Sequence, residues 1–237
     1  EAEPLLQGFL QDFFRKESLR PGQLPIVENI LNQKSTIGLL PTSAGKSICY
    51  QLASLLTPGV TFVADPLIAL MDDQVQGLKA DHGIDRVFAL HSGSKVKSDQ
   101  IGKVISEQLM VFLSPERFQS PDFRTSLQSV GALETFVNYA VIDEAHCVSM
   151  WGHDFRPPYL LLENNLRKYC SYRGKEPIIV ALTGTASQMV LIDLQRELNI
   201  QNASHIVRPK SFDRPELSFK LHRCSANQKA SDLKMID

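Results

Sequence analysis

The chain has 237 residues, 43% of them hydrophobic, with a mean hydropathy of −0.11. That is enough for one large domain with a substantial core, and it excludes a disordered or membrane-embedded chain. Twenty-five Lys and Arg against 26 Asp and Glu leave a net charge of −1. This argues against holding nucleic acid by bulk charge, although a local groove remains compatible with it.

No apolar run approaches the ~18 residues of a membrane helix, and no basic-then-apolar leader stands at the start. Cys49, Cys147, Cys170 and Cys224 are scattered, with no CxxC pair, which argues against sulfur-held zinc in this piece and for reduced thiols. The expectation is an intracellular protein with no membrane partner. Its first residue, Glu1 rather than methionine, reads as the start of a fragment.

In chain order, a helix is predicted over 21–32, with Pro21 suited to a first helical position because its missing N–H needs no partner there. A strand over 36–40 runs into the loop Leu40-Pro41-Thr42-Ser43-Ala44-Gly45-Lys46-Ser47, and a helix follows over 46–56. Strands are then predicted over 60–64, 86–90, 109–113, 139–142 and 178–182. Helices are predicted over 67–79, 98–107, 157–169 and 187–198. The strands are rich in Val, Ile, Leu and Phe without clean alternation, as expected of strands buried on both faces. Alternation of strand and helix implies an α/β fold, a parallel sheet with helices on both faces.

After about Asn202 the character changes. Residues 208–215, with Pro209 and Pro215 among charges, read as a linker, 216–221 as strand-like and 227–237 as helical. One strand and one helix cannot bury a core alone. The expected division is therefore one domain over 1–207, a linker over 208–215 and the opening of a second domain over 216–237.

Two motifs carry the chemistry. Gly45-Lys46-Ser47, between a strand and a helix, fits a phosphate-cradling P-loop. Its backbone N–H groups would wrap phosphates at a helix N-terminus, with Pro41, Thr42, Ser43 and Ala44 completing the nucleotide-binding loop. Lys46 would reach the β and γ phosphates, and the Ser47 hydroxyl would ligate Mg2+. The loop departs from the G-x-x-x-x-G-K-[ST] pattern at its first position, Leu40.

Asp143-Glu144 follows the apolar run Tyr139-Ala140-Val141-Ile142, which places two carboxylates at a strand's C-terminal end, where ligands of α/β sheets gather. Asp143 would hold Mg2+, and Glu144 would polarise the attacking water. Acidic pairs at strand ends are common as solvated caps. The P-loop decides for an ATP-hydrolysing site with Lys46, Asp143 and Glu144 as its catalytic residues.

Six further segments stand in a characteristic order. They are Leu19-Arg20-Pro21-Gly22-Gln23, Asp65-Pro66-Leu67-Ile68-Ala69-Leu70-Met71-Asp72-Asp73-Gln74, Ser114-Pro115-Glu116-Arg117, Asp143-Glu144-Ala145-His146, the run from Cys147 through Trp151-Gly152-His153-Asp154-Phe155-Arg156 to Pro157, and Ala181-Leu182-Thr183-Gly184-Thr185-Ala186. With the P-loop, this series resembles the RecQ DNA helicases of superfamily 2 over roughly residues 14–215. The resemblance implies a RecA-like P-loop NTPase fold, the first of two motor lobes.

It also implies ATP and Mg2+ as cofactors, 3′-to-5′ translocation on single-stranded DNA, and unwinding of partly duplex DNA, with a second RecA-like lobe as partner. By the resemblance, Gln23 would read the adenine edge, with Arg20 in support. Lys16 stands where family members often carry an aromatic or apolar residue. Met150, Trp151, His153, Phe155 and Arg156 would contact DNA, Trp151 by base stacking. Gly152 and His153 give that loop polar, flexible neighbours. His146, Thr183 and Thr185 would couple the nucleotide site to DNA. Asp65, Ser43 and Gly184 depart from the family's usual Ser, Gly and Ala.

An arginine finger normally comes from the second lobe, and it is worth ~10³–10⁵ in rate in related NTPases. The fragment alone is therefore expected to bind Mg-ATP weakly and hydrolyse it poorly. The competing readings are an RNA-directed superfamily 2 helicase and a non-catalytic, ATP-dependent DNA-binding module.

Overall fold

The computed structural model describes residues 2–41, 44–152, 154–184 and 187–208. Thr42, Ser43, His153, Thr185, Ala186 and nearly all of the expected linker and second-domain opening lie outside the described residues.

Seven strands form one sheet: β1 Thr36–Leu39, β2 Val60–Ala64, β3 Val87–Leu90, β4 Met110–Leu113, β5 Val137–Ile142, β6 Ile178–Thr183 and β7 Ile206–Val207. Their order is β3-β4-β2-β5-β6-β1-β7, and every pairing is parallel. β1, β2, β4 and β5 are buried throughout, which explains why they are mostly apolar without alternation.

Successive residues point to opposite faces and so feed two separate cores. Phe62, Val111, Ala140 and Ile142 belong to one. Val63, Phe112, Tyr139 and Val141 belong to the other. The second is covered by residues of α1 Ala2–Phe14, α2 Gln23–Leu31, α3 Ser47–Leu56 and α4 Ile68–His82. The first is covered by α5 Ile101–Ser106, α6 Pro121–Ala132, α7 Pro157–Leu160, α8 Leu162–Cys170 and α9 Gln188–Glu197. The predicted α/β architecture holds.

Three elements differ from expectation. α1, α6 and the two-residue β7 stand where the sequence pattern predicts neither helix nor strand. α6 has a recognisable start in Pro121 and in Ser120, whose Oγ accepts from Phe123 N at 3.4 Å. The predicted helix over 157–169 is broken at Leu161 into α7 and α8.

Candidate nucleotide and nucleic-acid site

The C-terminal ends of β1, β2, β5 and β6 bring the motifs to one edge. β1 runs into Leu40, whose N–H donates to Thr183 O at 3.1 Å, and Asp143 N donates to Ala64 O at 2.9 Å. The P-loop, Asp65, Asp143 and Thr183 are thereby fixed along neighbouring strand ends by backbone hydrogen bonds.

In the P-loop, Gly45 adopts φ 70°, a conformation open to glycine at little steric cost. Lys46 follows at the N-terminus of α3, and Ser47 is the helix's first residue. Gln23 is buried. Its Oε1 accepts from Arg20 N at 2.7 Å, and its Nε2 donates to Ala44 O at 2.6 Å and Gly45 O at 2.9 Å. Both ends of the amide are thus engaged with backbone, and the side chain ties the 20–23 turn to the phosphate loop. Beside it opens a cleft of about 230 Å3 lined in part by Phe14, Lys16, Arg20, Gln23 and Ser47.

Lys46 Nζ lies 2.8 Å from Glu144 Oε1, and His146 Nδ1 lies 3.3 Å from Glu144 Oε2. The same His146 nitrogen is 3.1 Å from Thr183 Oγ1. The His146 contact, together with Lys46, holds the Glu144 carboxyl down at about 2. Glu144 occupies the left-handed region, φ 45° and ψ 48°, which costs a non-glycine residue ~1–3 kcal/mol. Asp143 Oδ1, accepting from Glu144 N at 2.9 Å, helps fix that turn. Asp143 itself is buried, and desolvation pushes its carboxyl upward despite nearby Lys46.

Asp65 is a third carboxylate here that the sequence reading left without a role. Burial pushes it up to about 6, with Asp143 and Glu144 adding repulsion. Its Oδ1 accepts from Leu67 N at 2.8 Å.

The segment after the acidic pair turns through a short 3₁₀ stretch, Ala145–Val148, and then projects outward. Met150 is 61% exposed and Trp151 63% exposed, so neither is a core residue. Two anchors hold the base of this loop. Ser149 Oγ donates to buried Asp193 Oδ2 at 2.8 Å and accepts from Trp151 N at 3.1 Å. Arg156 Nη1 donates to Pro66 O at 2.8 Å, and Nη2 lies 3.3 Å from Asp154 Oδ2. Arg156 therefore serves as a strut to the Asp65 turn. Phe155 is half-buried.

Gly152 is no flexible element: a Cβ there would stand 2.2 Å from His146 O, so the loop doubles back where only glycine fits. Sequence reasoning missed Asp193 and Ser149. The available signal was an acidic residue among the buried Val190, Leu191 and Leu194 of α9.

This arrangement, a parallel sheet with phosphate loop, acidic pair and exposed aromatic loop on one edge, defines a RecA-like helicase lobe. A profile of the DEAD/DEAH box helicases matches residues 20–193, and the chain belongs to that family. It is 40% identical over 221 residues to the probable ATP-dependent DNA helicase RecS of Bacillus subtilis, covering 93% of this chain and 42% of that protein. It is 36% identical over 221 residues to the ATP-dependent DNA helicase RecQ of Haemophilus influenzae, covering 92% of this chain and 34% of that protein. The chain thus spans less than half the length of these relatives.

Among solved structures, the Hef helicase domain of Pyrococcus furiosus superposes with a TM-score of 0.58 at 16% identity, over 83% of this chain and 39% of that one. The DUF1998 helicase MrfA superposes with a TM-score of 0.59 at 20% identity, over 81% of this chain and 28% of that one. At such identities the likeness is one of fold. No helix among the described residues is long and apolar enough to cross a membrane.

Proposed function

We propose that this chain is the first motor lobe of a RecQ-like helicase that hydrolyses Mg-ATP to move 3′-to-5′ along single-stranded DNA and unwind partly duplex DNA. The observation that carries the proposal is a continuous polar path, Lys46–Glu144–His146–Thr183. It joins the phosphate loop to the turn from which Trp151 projects.

Lys46 is buried and pairs with Glu144. Phosphate oxygens at the loop compete for its ammonium and release one partner of Glu144. The carboxylate, held low chiefly by His146, stays ionised and is free to orient water. His146 keeps its place between Glu144 and Thr183, so a change at the carboxylate reaches the base of the aromatic loop. Arg156 carries the same loop to the Asp65 turn, beside the acidic pair.

The donor set fits magnesium. Asp143 is a buried carboxylate beside the phosphate loop, and Ser47 adds a hydroxyl oxygen at the first turn of α3. Among the described residues no group of three His, Cys, Asp or Glu is placed to hold a metal. Mg2+ takes one or two protein ligands and completes its shell with phosphate and water. When bound, Mg2+ supplies charge neutralisation at the transferred phosphate. The intact Lys46, Asp143 and Glu144 speak for a working enzyme.

The test is unwinding by the full-length protein of duplexes with a 3′ or a 5′ single-stranded tail. ATP-dependent unwinding from the 3′ tail is expected. Unwinding only from the 5′ tail, or none with either, overturns the proposal.

A further inference from the structure

The opposite end of the sheet carries another cleft, of about 300 Å3, formed by the end of α6, the 135–137 segment entering β5 and the 168–173 segment leaving α8. Phe136 and Tyr172 stack there, 6.0 Å between centroids and 11° from coplanar. Arg173 lies 5.0 Å from the Tyr172 ring centre, while Arg124 and Lys168 lie 5.6 and 5.3 Å from that of Tyr169.

Three cations thus gather around two rings, Tyr169 and Tyr172. Among the described residues none of the three is within ion-pair distance of a carboxylate, whereas neighbouring Arg167 pairs with both Glu163 and Glu176. In a chain of net charge −1, this is a local concentration of unneutralised positive charge. Arg173 is held in place by a tight turn in which Tyr172 and Lys175 exchange two backbone hydrogen bonds, both 2.9 Å.

We propose that this cleft is a second contact for single-stranded DNA. Tyr172 and Phe136 take a base, and Lys168 and Arg173 take the flanking phosphates. Aromatic rings accept any base by stacking, cations follow the backbone, and the cleft has the volume of a small-ligand site. The six residues of β5 separate it from the Asp143 edge by about 20 Å at ~3.3 Å per residue. A strand reaching both contacts must therefore be longer than one held at the Trp151 loop alone. The choice of DNA as occupant rests on the function proposed above.

The experiment is fluorescence anisotropy of the full-length protein with labelled single-stranded DNA of about 8 and about 30 nucleotides, a range bracketing one binding segment. It compares wild type, the double variant Lys168→Ala/Arg173→Ala, Tyr172→Ala and Tyr172→Phe. For the long strand, the double variant and Tyr172→Ala should bind about tenfold more weakly, and Tyr172→Phe like wild type. The double variant should also flatten the dependence of log K on log salt by about 1.4, from ~0.7 per neutralised phosphate on a single strand. Short-strand affinity and short-strand-stimulated ATPase should be unchanged.

Unchanged long-strand affinity and salt slope would overturn the second contact. So would an equal loss for both lengths, which would signal a disturbed fold or a single track. Displacement of the long strand from this cleft by thymidine monophosphate alone would assign it to a free nucleotide instead. If wild type binds no DNA of either length, the functional proposal fails first, and the two failures are distinct.

Discussion

Lys46 and Glu144 form an ion pair of 2.8 Å between the phosphate loop and the acidic motif, although 98 residues separate them in sequence. The pair assigns the two side chains different tasks. Lys46→Ala in the full-length protein should weaken nucleotide binding. Glu144→Gln should retain binding while lowering kcat by at least ~100-fold, the range of a lost general base. Equilibrium binding of a labelled nucleotide and steady-state ATPase rates separate the two. Unchanged turnover in Glu144→Gln would remove Glu144 from its role.

Asp65 gives a pH-dependent prediction. Its folded-state value is raised from 3.8 to about 6, so the folded protein holds this proton more tightly than the unfolded chain does. The associated stability is fully present below about pH 4 and is lost as pH rises through 6. Asp65→Asn keeps an acceptor for Leu67 N and removes the buried charge. In EDTA at pH 7.5 it should stabilise by up to about 3 kcal/mol, at 1.36 kcal/mol per pKa unit. The gain should shrink toward zero by pH 4. Thermal unfolding across that range reads it, and destabilisation at pH 7.5 would contradict it.

Ser149 and Asp193 supply a test of loop anchoring. Ser149→Ala removes one partner of the buried Asp193 carboxylate, whose Oδ1 keeps Arg196 at 3.2 Å, and should cost about 1 kcal/mol. If the anchor positions Trp151, the variant should also lose DNA stimulation of ATPase while basal turnover persists. A purely structural role would lower both together.

Trp151→Ala should weaken single-strand binding by ~1–3 kcal/mol, the worth of one base stack. Because the ring is 63% exposed, the melting temperature should barely move. Anisotropy and thermal melts on the same preparation check both halves.

The sheet was legible because its strands are short apolar runs bounded by charge and glycine, the signature of strands buried on both faces. The P-loop and acidic pair were legible because phosphate chemistry restricts residue types at fixed spacing. α6 escaped because its buried residues are only Phe123, Leu127 and Val130 among polar neighbours. β7 escaped because two residues carry no period, and only pairing of Ile206 with Ile37 and of Val207 with Gly38 defines it.

The tertiary contacts of the site were not written in any local pattern. The Arg156 guanidinium donates to the carbonyl of Pro66, 90 positions away. The Gln23 amide is bonded to the phosphate loop, 21 and 22 positions away. Residue type alone shows neither contact, because both depend on neighbours brought together by the fold. Glu144's left-handed backbone is equally invisible to residue identity.

The most direct measurement is ATP turnover by the full-length protein with single-stranded DNA, with single-stranded RNA and with neither, in wild type and Trp151→Ala. Strong stimulation by DNA alone, abolished in the variant while basal turnover remains, is the predicted result. Equal stimulation by RNA, or full DNA stimulation without the indole, would contradict the coupling of the phosphate site to this loop.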